Sequence, residues 1–114
     1  MFDDVASVAL RGALDGLALR QRAIADNIAN VETPDYHARK VQFEEALSQA
    51  VKAGRPGGAE STEARSLEPT RLNGSNVNLD EEMLSNIDTN LRYQLALRAL
   101  DGKYSNLRTV INGS

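Results

Sequence analysis

Apolar side chains in the first third of the chain recur alternately four and three residues apart. The series consists of Leu10, Leu14, Leu17, Ile24, Ile28 and Val31, with Gln21 interrupting it once. This spacing is typical of a helix whose narrow apolar face packs against another helix. Gly12 and Gly16 lie inside the series, and each disfavours the helix by about 1 kcal/mol relative to Ala. The pattern predicts a long, weak helix, and its glycines allow close approach by a neighbouring backbone.

A second helix is predicted at the other end, over residues 78–112. Asn78 can cap it, with Glu81 three residues further on. The acidic run Asp80, Glu81 and Glu82 places negative charge at the positive end of the helix dipole. Gly113 follows the last apolar residue, as glycine often does where a helix ends.

The second helix carries apolar residues on more than one face. Its predicted seam again alternates four and three residues apart: Leu79, Met83, Asn86, Asn90, Tyr93, Leu97, Leu100, Tyr104, Leu107 and Ile111. A neighbouring stripe consists of Leu84, Ile87, Leu91 and Leu95. We expect a helix with so wide an apolar surface to touch more than one partner.

The middle of the chain lacks such periodicity. Residues 48–76 are rich in Gly, Pro, Ser and Thr and predict a flexible, irregular insertion. A β-hairpin about Asn73-Gly74 is an open alternative. Residues 41–51 have apolar side chains at helical spacing, which predicts a short amphipathic helical stretch after an extended segment from Tyr36.

The predicted fold is therefore all-α, with two long terminal helices forming a coiled-coil-like pair joined by the irregular middle. We place an N-terminal helix at residues 1–33, the turn, short helix and insertion at 34–77, and the C-terminal helix at 78–114. A core from fewer than about 80 ordered residues seldom supplies more than about 3–5 kcal/mol. We expect a marginal monomer whose apolar stripes are completed by other subunits. The residues assigned to that interface are Leu14, Leu17, Ile24, Ile28, Leu91, Tyr93, Leu97, Leu100, Tyr104 and Leu107.

The composition of the chain argues against several classes of function. The net charge is −3 and the pI about 5.1, so no nucleic-acid partner is expected, because such partners normally require a basic surface. The basic residues Arg20, Arg22, Arg39 and Lys40 are interpreted as solvated helix flanks. No apolar run is long enough for a membrane span, and no cleaved signal peptide is expected at the N-terminus.

The sequence offers little for catalysis. His37 is the single histidine, with Asp35, Glu44 and Glu45 nearby, whereas catalytic zinc usually takes two or three histidines. Cysteine is absent, which excludes disulfides and thiolate metal sites. We therefore expect no enzyme activity, no metal and no cofactor.

The end of the first helix carries the most specific motif. It consists of Asn27, Ile28, Ala29, Asn30, Thr33, Pro34 and Tyr36. The asparagines can bond backbone groups where the helix ends, and Pro34 is predicted to stop the helix because it lacks an N–H and pushes Thr33 out of the α region. Tyr36 is expected to bury its ring in a subunit contact.

This motif resembles the N-terminal motif of the bacterial flagellar axial proteins, which form rod, hook and filament junctions. The family form is Asn-Ile-Ala-Asn-x-x-Thr-Pro-Gly-Tyr followed by a basic residue. Here Asp35 replaces the Gly and His37 replaces the more usual Lys. If the position of Asp35 requires a positive φ, Asp tolerates it less well than Gly but better than a β-branched residue.

The resemblance covers both ends of the chain, including residues 76–83, 90–94 and 102–103. Most family members have a large middle domain, so the short middle here points to the proximal rod. The resemblance implies a structural subunit of a helical tube that transmits torque. It implies as partners other copies of the chain, other rod proteins, the flagellar type III export apparatus and the basal-body base. The implied location is the rod that crosses the periplasm, reached without a cleaved signal. The alternatives are a second short rod protein of this family and a non-flagellar soluble coiled-coil adaptor.

Overall fold

The computed structural model describes residues 5–55, 62–67, 72 and 74–111. Its elements in chain order are helix α1 (Val5–Ala29), strand β1 (Arg39–Gln42), helix α2 (Glu44–Lys52), strand β2 (Thr62–Arg65) and helix α3 (Leu79–Ile111). The structure confirms the predicted helical fold with two long terminal helices. It also adds a small sheet that the sequence did not predict.

Helices α1 and α3 lie side by side and run antiparallel. Gln21 donates a hydrogen bond to Asn90 at 2.5 Å, and Asn27 donates one to Glu82 at 3.1 Å, so later residues of α1 meet earlier residues of α3. The start of α3 is capped as predicted, because the Glu81 N–H donates to Asn78 Oδ1 at 3.2 Å. The two longest helices therefore form the frame on which the middle segment rests.

The predicted irregular insertion contains part of a two-stranded antiparallel sheet. Strand β2 pairs with β1 in a register that places Arg65 opposite Arg39 and Thr62 opposite Gln42. All four residues of β2 are exposed, so no alternation of buried and exposed side chains marks the strand in the sequence. Asn73, at the centre of the alternative hairpin, lies outside the described residues, and neither strand is next to it.

The core lies where the middle segment crosses α1. Leu17 and Ala23 of α1 cluster with Val41 and Phe43, and Leu47, Tyr93 and Ala96 are among the partly buried residues packed against this cluster. A Cβ at Gly16 would overlap the ring of Phe43. A close approach therefore occurs at Gly16, but the approaching group is the side-chain ring of Phe43 and not the neighbouring backbone expected from the sequence.

The seam predicted for α3 is largely not the face that packs on α1. Glu82, Thr89 and Leu100 are the buried residues along α3, whereas Leu79, Met83 and Leu97 of the predicted seam are exposed. Periodicity did not select the correct face because apolar residues surround most of α3. The side chains of Tyr104 and Leu107 lie outside what the structure describes.

Candidate functional site: the turn motif and the exposed apolar faces

Helix α1 ends earlier than predicted, five residues before Pro34. The Asn30 N–H bonds Asp26 O at 3.1 Å, and its side chain donates to the same oxygen at 2.8 Å. The Thr33 hydroxyl then donates to Asn30 Oδ1 at 3.0 Å. The predicted bonding of Asn30 to the helix end is confirmed, but the predicted stop at Pro34 is wrong. The side chain of Asn30 therefore bonds the Asp26 carbonyl in the last turn of α1, before the proline is reached.

Pro34 belongs instead to a tight turn over residues 33–36. The Tyr36 N–H donates to Thr33 O at 3.3 Å, and Asp35 has a φ of 61°. Proline at the second position and a positive φ at the third are the requirements of a type II turn, which favours Gly at that third position. From the sequence, a positive φ at Asp35 was a condition only, and the structure meets that condition, which explains why Gly is usual there in the axial family.

Asn27 joins this turn to the rest of the molecule. Its side chain is completely buried. Its Oδ1 accepts from the Arg39 N–H at 2.9 Å and from the Tyr36 hydroxyl at 3.4 Å. Its Nδ2 donates to Arg39 O at 2.9 Å and to Glu82 Oε1 at 3.1 Å. One amide therefore ties α1 to the exit turn, to β1 and to α3.

Glu82 is the other buried member of this network, with 1% of its area exposed. Its Oε1 accepts from Lys40 Nζ at 2.9 Å as well as from Asn27. We define Asn27, Lys40 and Glu82 as the polar clasp. The sequence interpretation of Glu82 as part of a charged helix start missed it, since Asp80 and Glu81 beside it are exposed and the three look alike in sequence.

Arg20 is a second residue that sequence reasoning placed wrongly. Instead of forming a solvated flank, its guanidinium donates two hydrogen bonds of 2.6 Å to Glu44 and two to Val41 O, at 2.8 and 3.3 Å. Its Cζ lies 4.9 Å from the centre of the Phe43 ring. Hydrogen bonding from Arg20 lowers the pKa of Glu44 to about 2. Arg20 therefore pins the junction of β1 and α2 onto α1.

The other three basic residues that were interpreted as solvated flanks differ in whether they have a partner. Arg39 forms an ion pair with Asp26, and Lys40 belongs to the polar clasp, so both have partners within the chain. Arg22 is exposed, as predicted.

Asn76 holds the exit segment from the opposite side. Its N–H donates to Tyr36 O at 3.0 Å, and its Oδ1 accepts from the Ala38 N–H at 2.7 Å. Its Nδ2 donates to Ser66 O at 2.9 Å. Residues 36–38 thus lie between Asn27 on one side and Asn76 on the other, which fixes the direction in which the chain leaves α1.

The residues predicted to form a subunit interface fall into three groups. Leu17, Ile24 and Leu100 are buried within this chain, and Leu14, Ile28 and Tyr93 are partly buried. Leu91 and Leu97 are exposed. Of the described residues in the list, these last two are the most available to another molecule.

A continuous apolar stripe covers the face of α3 that points away from α1. We define the outer stripe as the residues Leu84, Ile87, Leu91 and Leu95, which are 69%, 65%, 56% and 57% exposed. Single exposed apolar residues are ordinary, but contiguous apolar patches on soluble proteins mark contact surfaces. The predicted second stripe of α3 is therefore present and open to solvent.

A concave apolar surface lies on another side of the molecule, between the three helices. This apolar groove has a volume of about 500 Å³. We define it by the side chains of Ala9, Ala13, Leu17, Phe43, Leu47, Val51 and Ala96, with Glu44, Ser48, Lys52 and Arg92 also lining it.

His37, the histidine considered as a metal ligand, contacts Asn76. His37 Nδ1 lies 3.4 Å from Asn76 Nδ2. Within the described ranges, no three His, Cys, Asp or Glu side chains gather as a metal site requires. The helices described also include none with a stretch long and apolar enough to cross a membrane.

Comparison with known proteins decides the family. No protein-family model matches the chain. It is 32% identical to the flagellar basal body rod protein FlgB of Bacillus subtilis (strain 168) over 117 aligned positions, which cover 91% of each chain. The chain belongs to the FlgB family of flagellar basal body rod proteins. Over 120 positions it is 30% identical to FlgB of Escherichia coli (strain K12), covering 87% of each chain. Over 104 positions it is 34% identical to FlgB of Borrelia hermsii, covering 72% of this chain and 77% of that protein.

Membership of the FlgB family confirms the resemblance drawn from the turn motif. The alignments with the Bacillus and Escherichia FlgB proteins cover 91% and 87% of both chains, so the similarity extends well beyond the turn motif. The turn motif, the polar clasp and the outer stripe are therefore features of a FlgB family chain.

Proposed function

We propose that this chain is a structural, non-enzymatic subunit of the flagellar basal-body rod. The observation that carries the proposal is the outer stripe, because α3 already packs on α1 and still exposes four large apolar side chains on its opposite face. In a single molecule, the apolar surface of such a helix is only partly covered. The FlgB relatives are named as rod proteins, so the rod is the assembly in which other subunits cover this apolar face.

The finer parts of the proposal concern place and partners. The chain lies in the proximal rod, within a helical tube that crosses the periplasm and transmits torque. Its neighbours are other copies of itself and other rod proteins, with the basal-body base below them. It reaches that position through the flagellar type III export apparatus without a cleaved signal peptide. The small core supports this route, because a weakly stable subunit is easily kept unfolded for export.

The residues proposed for subunit contact are those that the single chain leaves open, Leu91 and Leu97 foremost. In this proposal the N-terminal unit (1–33), the middle (34–77) and the C-terminal helix (78–114) form one domain that neighbouring subunits complete. The polar clasp and the turn hold the middle segment in a fixed direction, so that it meets the same neighbour in every copy.

A charge placed in the outer stripe tests the proposal. Leu91→Asp should abolish rod assembly and motility while export of the chain continues, because burying an unpaired carboxylate in an apolar contact is strongly unfavourable. Leu91→Met retains the apolar surface and serves as the matched control. Ala25→Asp places the same charge on the exposed surface of α1, away from the stripe, and should leave rod assembly unchanged. Normal rods with Leu91→Asp, counted by electron microscopy of basal bodies, would show that the stripe is not an assembly contact.

A soluble coiled-coil adaptor is the competing class, and no specific observation favours it. Sedimentation of the purified chain together with microscopy of basal bodies separates the two. A stable, well-folded dimer that never enters the rod would support the adaptor.

A further inference from the structure

The outer stripe and the apolar groove are two different surfaces on two sides of the same helix. Ala96 of α3 lines the groove, whereas Leu91 belongs to the stripe. These residues are five positions apart, which on a helix of 3.6 residues per turn separates them by about 140° around the axis. One molecule can therefore present its stripe to one neighbour and its groove to another at the same time.

The shapes of the two surfaces match. The stripe is a convex row from Leu84 to Leu95, about 16 Å long at the rise of an α-helix. The floor of the groove follows α1 from Ala9 to Leu17, about 12 Å long by the same rise. Alanines at positions 9, 13 and 96 keep that floor low, while Phe43, Leu47 and Val51 stand beside it. A row of leucine-sized side chains on one helix packs into such a depression.

Charges at the ends of the two surfaces favour one orientation. Helix α2 begins with Glu44 and ends with Lys52, and both side chains line the groove. Along α3, Asp88 lies beside the stripe, where it pairs with Arg92 of the same helix at 2.9 Å and keeps more than half of its side chain exposed, and Arg98 follows the stripe. If α3 of a second copy lies antiparallel to α2, Asp88 comes near Lys52 and Arg98 near Glu44. The spacings agree, about 12 Å along α2 and about 15 Å along α3.

We propose that the apolar groove of one copy is the docking site for the outer stripe of a second copy. This contact rests on the proposed function, that the chain assembles in the rod, and it names the surfaces that meet. Because the two surfaces differ, the pairing is heterologous: each added copy leaves a free groove at one end of the row and a free stripe at the other. Such a contact builds an open helical assembly where its rotation does not close into a ring, whereas pairing a stripe with a stripe would close a dimer.

Cross-linking tests this pairing directly, because the chain has no cysteine of its own. Ser48→Cys places a thiol in the groove and Leu91→Cys places one in the stripe. The two single variants are co-expressed, assembled basal bodies are isolated, and a short bis-maleimide is added. We expect a cross-linked dimer joining positions 48 and 91 by mass spectrometry, no dimer from either variant alone, and a ladder of oligomers from the double variant.

A matched control and a second pair exclude accidental results. Asp15→Cys lies on the exposed side of α1, away from the groove, and should give no dimer with Leu91→Cys. Lys52→Cys with Asp88→Cys tests the orientation across the rim without altering the apolar side chains, and should also give a dimer. Formation of this second dimer supports the proposal even where Leu91→Cys disturbs assembly.

Four results would overturn the proposal. Dimers formed by Leu91→Cys alone would show stripe against stripe, and adducts joining either thiol to a different rod protein would show another occupant. Absence of both predicted dimers, in basal bodies that contain the chain, would refute the pairing and leave the proposed function intact. Absence of the unsubstituted chain from isolated basal bodies would instead refute the proposed function, and the pairing with it.

Discussion

Gly16 sets the distance between α1 and the segment that crosses it. Phe43 lies so close to the backbone at this position that a Cβ would overlap its ring, and the guanidinium of Arg20 covers the same ring one turn further along α1. A single hydrogen atom in place of a methyl group therefore decides whether the aromatic ring can enter the core. Gly102, with no atom within 4 Å of where its Cβ would be, has no such role.

We therefore expect opposite effects from alanine at these two glycines. Gly16→Ala should destabilise the fold by about 1–3 kcal/mol, because the overpacked ring must move. Gly102→Ala should stabilise it by up to about 1 kcal/mol, since Ala is the better helix former and meets nothing. The measurement is the midpoint of folding in a trimethylamine N-oxide titration followed by circular dichroism. Equal shifts for the two variants would show that the contact with Phe43 is unimportant.

Asp35 carries the strain of the exit turn. The backbone at position 35 has a φ of 61°. Asp35→Gly should therefore leave the stability of the fold unchanged or raise it, whereas Asp35→Val should lower that stability by about 1–2 kcal/mol, the penalty for a side chain in the left-handed region. Swimming speed and the same osmolyte titration provide the two readouts. A severe defect with Asp35→Gly and normal behaviour with Asp35→Val would disprove the turn assignment.

At the scale of elements, the middle segment is fixed to the helix pair by polar contacts as much as by apolar ones. The polar clasp joins β1 to both long helices, and Arg20 joins the β1–α2 junction to α1. Buried polar groups of this kind specify one arrangement because a shifted segment would leave them unpaired. The direction of the middle segment therefore depends on a few named side chains.

Glu82→Ala should release that segment from α3. Lys40 and the Asn27 amide would each lose a partner inside the protein, at a cost of about 3 kcal/mol. In trimethylamine N-oxide concentrations at which the unsubstituted chain is folded, amide hydrogen exchange should accelerate at residues 38–42, with much less change near α2. Glu81→Ala, which removes the exposed neighbouring carboxylate, is the control and should leave exchange unchanged. Unaltered exchange in Glu82→Ala would mean that the clasp does not hold β1.

The pair of Arg20 and Glu44 predicts a loss of stability in acid. The pKa of Glu44 is lowered from an ordinary 4.5 to about 2, so the pair contributes fully above about pH 4.5 and its contribution disappears as the pH falls toward 2. Because the Glu44 side chain is half exposed, we expect no more than about 1 kcal/mol from it. Sucrose titrations at pH 5 and pH 2.5 measure the difference, because sucrose, unlike trimethylamine N-oxide, does not take up a proton in this range. Glu44→Gln should reduce that difference, and an unchanged difference would contradict the assignment.

At the scale of the whole molecule, little apolar surface is buried for so extended a chain. The described residues include eight buried apolar side chains, and two of the eight are alanines. The four side chains of the outer stripe, which are larger than alanine, face solvent. Ordering a chain of this length costs conformational entropy that so small a core scarcely offsets. The folded form described here is therefore one that assembly stabilises.

The isolated chain should accordingly be largely mobile. We expect circular dichroism at low micromolar concentration to show reduced helix content and a broad, weakly cooperative thermal change. Raising the concentration should increase helix content if copies stabilise one another. A sharp transition with high helix content at low concentration would contradict this expectation.

The sequence determined the parts of this protein that depend on local rules. Repeats of apolar residues three and four apart gave the two terminal helices, and Asn78 gave the start of α3. The run from Asn27 to Tyr36 identified the axial family and drew attention to Asp35 at the position where that family usually has Gly. Each of these follows from residues close together in the chain, so periodicity, capping and turn chemistry suffice.

Only the tertiary structure decided which surfaces meet. Helix α3 carries apolar residues on more than one face, and the face that turned inward bears Thr89, Ala96 and the buried Glu82, because Lys40 and Asn27 satisfy that carboxylate. Strand β2 owes its place to hydrogen bonds with β1, from which it is separated by 19 residues, and its own side chains are all exposed. Arg20 and Glu82 looked like surface charges because their partners lie 24 and 42 residues away in sequence. Contacts over such separations depend on the path of the intervening chain, which no local pattern encodes.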